Sequence, residues 1–340
     1  MSTKVLKRGL MVAVVLLLVA GLGFSAGQGE GAAARQFIRF GGGAPGGSWF
    51  ATVGGFASYI SSADPDLNIT AVSTGGSADN NRQAARGQLD TWLTHALTAY
   101  DLWTGTGEFE GEDSYQDFRL ISGVYESHHH FVTLASKTDI NSLHDLAGKS
   151  VVMGNVGSGG AINSENILKA IGVFDQIDVR YMGWDDAGRA IQDGRIDAAG
   201  ASSAPASAVV TLDAQRPIKL IAPTEDDFDK IIAEFPSYSR SVIKAGTYSS
   251  VTEDSPCISF LVYWAAQKDL SEQAVYDMMV VALDPDNLPD LSNIHHNLST
   301  IAPYLTQMST FAVPLHPGAV RYYRDHGVEV PESLIPPEMK

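Results

Sequence analysis

Cysteine is almost absent from this chain: Cys257 is the only one in 340 residues. One thiol cannot close an internal disulfide, so the fold must rest on a large apolar core. Positive charge is also sparse. Lys and Arg total 23 against 39 Asp and Glu, for a net charge of -16, and no basic patch stands out. That excludes duplex nucleic acid as a partner class. Beyond residue 24 no stretch approaches the ~20 apolar residues a membrane-spanning helix needs. Several reactive signatures are missing. There is no Gly-Lys-Ser/Thr to reach a phosphate, no His-Glu-x-x-His, no calcium-loop spacing and no complete Gly-x-Ser-x-Gly elbow. With 44% hydrophobic and 18% charged residues, the chain reads as globular and large enough for two domains.

What is present begins at the N-terminus. Lys4, Lys7 and Arg8 precede an uninterrupted apolar run from Leu10 to Ala20, and small residues follow through Gly27. A basic start, an apolar centre and a small-residue end describe a secretory signal peptide over residues 1–27. Its removal takes away three cations and no acid, lowering the net charge from -16 to -19. No cysteine follows the run, which excludes a lipid-anchored form. The mature protein is therefore expected outside the inner membrane, in the periplasm.

The rest is organised around Phe40 to Phe50, the stretch FGGGAPGGSWF. A short apolar run, Gln36 to Phe40, leads in, and helical spacing of apolar residues leads out to Ile60. Strand, glycine loop and helix start aim free backbone N–H groups at one spot, an arrangement suited to an anion. The plan recurs at Val151–Met153, Gly154–Gly160 and Ala161–Ile171. Later in each unit a helix ends in glycine and passes into an Asp-bearing strand, at Arg86–Thr91 and Asp193–Ala198. Gly47 and Gly160 are 113 apart, and Gly87 and Gly194 are 107 apart. Similar offsets predict two like-folded α/β lobes. In open α/β sheets ligands sit beyond the carboxyl ends of the strands, so facing lobes would bring both glycine loops to one cleft.

Further strands are expected at 67–72, 89–93, 118–125, 131–135, 179–182 and 196–199. A long apolar strand at 257–266 would carry the chain back to the first lobe. Helices are expected at 80–85, 185–191, 271–283, 297–311 and 317–325, with a turn-rich link at 284–289. Thr74, Ser77 and Asn80 or Asn81 open a helix after a strand and can donate to a small polar ligand; simple capping by Ser77 remains the alternative. Trp49, Phe50, Tyr100, Trp103 and Trp184 are candidate cleft aromatics. Arg82, Arg86 and Arg189 could clamp a carboxylate. His128, His129 and His130 offer at most two ligands to one ion, since neighbours in a strand face opposite ways. No metal, cofactor or catalytic set is assigned, and Ser158 is read as a donor rather than a nucleophile.

Five motifs in order carry a family resemblance: GGAPGGSW at 42–49, TGGSxxN at 74–80, DLxGKxVxxGxxGSG at 145–159, DGxIDA at 193–198 and PLHPGAxxYY at 314–323. The chain resembles the TAXI-type solute-binding receptors of tripartite ATP-independent periplasmic (TRAP) transporters over about 36–327. The resemblance implies a two-lobed type II periplasmic-binding-protein fold with the ligand cleft between lobes. Lobe 1 would comprise 36–128 and 258–330, and lobe 2 would comprise 129–257. It implies capture of a small carboxylate-bearing solute, an organic acid or an amino acid such as glutamate or 2-oxoglutarate. Delivery would be to an ion-gradient-driven TRAP permease. Presentation to a membrane signalling partner is the alternative, and an enzyme on the same fold is a weaker one. Ligand contacts carry over to Gly46, Gly47, Ser48 and Trp49; to Ser77 and Asn80; and to Gly157, Ser158, Gly159 and Gly160, with Thr74 and Trp184 added from the reading above. Many members carry two tyrosines in the first loop where this chain has Trp49 and Phe50, so the resemblance leaves the ligand's identity open.

Overall fold

The computed structural model describes residues 36–45, 47–301, 305–309 and 313–340. The expected leader at 1–27 and the site candidate Gly46 lie outside them.

Three βα steps open the chain. They are β1 (Gln36–Gly41) with α1 (Ser48–Ala63), β2 (Leu67–Val72) with α2 (Ser77–Ala85), and β3 (Thr91–His95) with α3 (Ala96–Thr104). β1 pairs in parallel with both β2 and β3. β4 (Phe118–Leu134) then runs 17 residues. Three more steps follow: β5 (Ser150–Gly154) with α4 (Gly159–Ala170), β6 (Asp178–Tyr181) with α5 (Trp184–Gln192), and β7 (Ala198–Ala201) with α6 (Ser207–Gln215). β5 again pairs in parallel with both of its successors. β8 (Ile218–Ile221), α7 (Glu225–Glu234) and β9 (Ser239–Ile243) lead into β10 (Ser255–Gln267).

The strand order β2-β1-β3-β10-β4 in the first half repeats as β6-β5-β7-β4-β8 in the second. In each half the fourth strand is antiparallel to the third. The repetition anticipated from the glycine offsets is thus a repetition of topology. β4 belongs to both sheets. Its residues 118–129 pair with β10, and 130–134 pair with β7 and β8.

Separate apolar cores support the two halves. In the first, Phe40 stacks on Trp264 at 5.7 Å and Phe56 tilts against the same ring at 5.2 Å. In the second, cores lie on both faces of the sheet, one around Met153, Ile167 and Phe228, the other around Val152, Ile191 and Leu212. Aliphatic strands covered on both faces are what parallel sheets require. β10 returns the chain to the first half. There α8 (Glu272–Ala282), α9 (Leu288–Ile294), α10 (Leu305–Met308) and α11 (Pro317–Asp325) add to its core. Buried Arg119 grips Glu338 through two 2.8 Å bonds and fastens the C-terminal tail.

Three expectations need correction. The two strands expected at 118–125 and 131–135 are one, because the polar run between them is sheltered: Ser127, His129 and His130 are buried and hydrogen-bonded. The helix expected over 297–311 is instead a 3-10 turn at His296–Thr300 and the short α10. Pro303 lies in the middle of that run and cannot continue a helix. Part of the turn-rich link is itself helical, as α9, with Pro289 tolerated in its first turn.

Candidate functional site

The first glycine loop ends at the start of α1, and the loop after β2 ends at the start of α2. Both helices have glycine at the N-cap, Gly47 and Gly76, so no side chain caps either one. Gly76 has φ +112°, a conformation other residues rarely adopt. Behind these loops sit two of the expected ligand donors, turned to another task. Thr74 Oγ1 donates to the Gly42 carbonyl at 3.0 Å. Asn80 Nδ2 donates to the carbonyls of Gly42 and Leu93, each at 2.8 Å. Thr74 and Asn80 therefore lash the loops together from inside the lobe rather than line the cleft.

The facing jaw is the loop from Gly154 to Gly160. Gly157, at φ +72°, makes its turn and does not line the cleft. Ser158 caps α4, accepting the Ala161 N–H at 3.1 Å. Gly159 meets the first lobe directly. A Cβ there would lie 2.3 Å from His95 Nδ1 and 2.8 Å from the Ser77 Cβ. The indole of Trp184, the first residue of α5, lies against Gly160.

Between the jaws is a cleft of about 520 Å³, including its open mouth. Of the expected residues, Gly47, Ser48, Trp49, Ser77, Ser158, Gly159, Gly160 and Trp184 line it. Sequence reasoning missed Gly43, Ala44, Gly75, Gly76, His95, Asn155, Ser202 and Ser203, which complete the lining. A signal existed for these. His95 closes β3 and Ser202–Ser203 follow β7, so they stand at carboxyl ends of strands like the loops that were picked out.

The wall is held by hydrogen bonds that cross from one half to the other. Trp49 Nε1 donates to Tyr125 Oη at 2.6 Å, and Tyr125 Oη lies 3.4 Å from Ser203 Oγ. Ser203 Oγ is also 3.0 Å from Ser127 Oγ. Tyr238 Oη donates to Asn163 Oδ1 at 2.5 Å, which turns the Asn163 amide nitrogen towards His95 Nδ1, 3.0 Å away. Nδ1 is then the acceptor, and the ring proton belongs on Nε2. His95 packs edge-on to Trp49 at 4.8 Å and tilts against Phe260 at 4.6 Å. Burial drives its pKa down to about 3, so the ring is neutral at physiological pH. Of the histidine run, His129 bonds Ser202 and Ser164, and His130 bonds Tyr248. Both are buried wall supports rather than surface groups, and among the described residues no cluster fit for a metal occurs.

Among the described residues the lining carries no Lys, Arg, Asp or Glu. The arginines considered as clamps stay outside it. Arg82 pairs with Glu108 and Glu112, and Arg189 with Asp186. Phe50, Tyr100 and Trp103 also lie outside the lining, and Trp103 packs on Phe118 instead. Polarity comes from serine hydroxyls, Asn155, His95 and backbone N–H groups at helix starts. Such a site can bind an anion through neutral donors and fixed dipoles.

A family model for the NMT1-like family matches residues 40–327. The chain belongs to the NMT1-like family. Among solved structures, a periplasmic transporter is similar to this NMT1-like chain at 17% identity and a TM-score of 0.52, covering 86% of this chain and 94% of its own. A histidine kinase sensor domain with similarity to periplasmic binding proteins shows 10% identity and a TM-score of 0.48, over 79% of this chain and 99% of its own. The alkanesulfonate-binding protein SsuA from Xanthomonas axonopodis pv. citri, bound to MOPS, shows 12% identity and 0.46, over 89% and 97%. At 17% identity and a TM-score of 0.52, the likeness to the periplasmic transporter speaks for the fold alone. The NMT1-like chain has the α/β, two-lobed type II periplasmic-binding-protein fold, with its cleft between lobes.

Proposed function

We propose that this protein is an exported solute-binding protein that captures a small carboxylate-bearing solute and delivers it to an ion-gradient-driven TRAP-type membrane permease. Lobe 1 comprises 36–128 and 258–330, lobe 2 comprises 129–257, and β4 and β10 form the hinge between them. Residues 1–27 serve as a cleaved signal peptide, and the mature chain works in the periplasm.

One observation carries the reading. Two helix starts without side-chain caps, at Ser48 and Ser77, border the same cleft as the glycine jaw at Ser158–Gly160. First-turn N–H groups need acceptors, and a carboxylate supplies two oxygens. Gly47, Ser48, Trp49 and Ser77 bind from one side; Ser158, Gly159, Gly160 and Trp184 close from the other. The TRAP assignment rests on the motif resemblance, Thr-Gly-Gly-Ser at 74–77 and His-Pro-Gly-Ala at 316–319 above all.

Ligand binding should raise the melting temperature by mass action and change tryptophan emission, since Trp49 and Trp184 line the cleft. A broad panel of small acids that moves neither signal would count heavily against binding. Cells deleted for their TRAP-type permeases, but still importing the solute at the wild-type rate, would contradict delivery.

A further inference from the structure

We infer that the solute is a monocarboxylic acid with an apolar tail and no ammonium group, which excludes amino acids and dicarboxylates as its main ligands. The inference rests on the reading of the cleft as a carboxylate site and narrows it.

A bound amino acid buries an ammonium group as well as a carboxylate. A desolvated cation without an anionic partner binds poorly. Among the described residues no acidic side chain lines this cleft. Two nearby carboxylates are engaged elsewhere. Asp79 accepts from the Gly75 N–H and from Gln83, both at 2.7 Å. Asp186 pairs with Arg189 at 2.6 Å. Carbonyl acceptors around the loops are likewise in use: that of Gly42 takes Thr74 and Asn80, and that of Gly43 takes the Thr74 N–H. The same logic removes a second carboxylate. Among the described residues no Lys or Arg lines the cleft, and His95, already accepting at Nδ1, stays neutral. The start of α5 at Trp184 is uncapped as well, but Asp185 and Asp186 in its first turn disfavour an anion there.

The cleft continues into an annex that shows where the rest of the molecule goes. A second hollow of about 350 Å³ shares Gly47, Ser48, Trp184 and Ser202 with the main cleft. Its further walls are Ala201 and the start of α6, from its N-cap Ala206 to Val209. Carbon-lined space beside an indole ring suits an alkyl or aryl tail. The head therefore lies at Ser48 and Ser77, and the tail passes Trp184 towards Val209.

Matched ligands test this by calorimetry on the mature protein. The probes are hexanoate, its 2-amino derivative norleucine, hexanamide, glutarate, and the straight-chain acids from propanoate upward. Hexanoate should bind at least about 100-fold tighter than norleucine, because only norleucine leaves a buried cation unpaired. Hexanamide should be as weak as norleucine or weaker. Affinity should rise about fourfold per methylene as the tail fills the annex. Norleucine or glutarate binding as tightly as hexanoate would overturn the inference while leaving the carboxylate site intact. Hexanamide matching hexanoate, or no heat from any acid, would overturn the carboxylate reading itself, and the inference with it.

Discussion

The two glycine loops occupy equivalent places in a repeated topology, yet they are built differently. In the first lobe Gly47 and Gly76 leave α1 and α2 without side-chain caps. In the second lobe Ser158 caps α4 with its own hydroxyl. The first jaw thus keeps its donors free, while the second spends one on itself. What the second jaw contributes is closeness, because Gly159 and Gly160 let His95 and Trp184 approach the backbone. The first jaw supplies open helix starts and the second supplies a close fit. A repeated fold need not mean a repeated role.

Four changes would break or sharpen that contrast. The largest effect is expected from Gly159→Val. Its Cβ would stand 2.3 Å from the His95 ring and its branches would hold the jaws apart. Ligand affinity should fall about 100-fold, more than any loss of melting temperature explains. A variant that binds like the parent would show that the jaws need not meet.

Acid comes next, and it acts on both sides of the cleft. Burial holds His95 at about 3 and His130 at about 4. In the unfolded chain both take a proton near 6.5. Between those values the unfolded state binds more protons, so stability is lost as pH falls from about 6.5 towards 4. His130 alone should contribute about 3 kcal/mol to that loss. Urea midpoints at pH 7 and 4.5 measure it, and equal midpoints would refute it.

Gly47→Ser gives the first jaw the cap that the second already has. Gly47 has φ -84° and ψ 153°, which serine adopts readily. The new hydroxyl should compete with the ligand for first-turn N–H groups and weaken binding about tenfold, while stability holds or rises by up to ~1 kcal/mol. Undiminished affinity would mean that α1 gives no donor to the ligand. The smallest effect belongs to Ser158→Ala. Loss of a cap should cost about 1 kcal/mol of stability, with affinity changed less than about threefold. A large loss of affinity at constant stability would make Ser158 a direct ligand group and erase the contrast.

The fold was legible because its signals are local. Alternating strand and helix patterns, glycine stops and the two glycine loops place β1, β2, β5, α1, α4 and α11 close to where they stand. The unity of β4 was hidden because a strand buried on both faces can hold histidines only when partners elsewhere satisfy them, and Ser164, Ser202 and Tyr248 are far away in sequence. The site was legible in its loops for the same reason. Thr74 and Asn80 were misplaced because a donor type beside a cleft does not reveal which way it points. Here both point inward, at the Gly42 carbonyl. His95 and Ser202–Ser203 needed only the strand-end rule applied to every strand. The annex depends on how α6 packs beside Trp184, which no motif encodes.

The most direct test of carboxylate binding is native mass spectrometry of the protein as purified from the cells that make it. One small molecule per chain should be released on unfolding, with fragments that show a carboxylate and no amine. A ligand-free protein whose melting temperature no small acid shifts, or a released compound without any carboxylate, would contradict it.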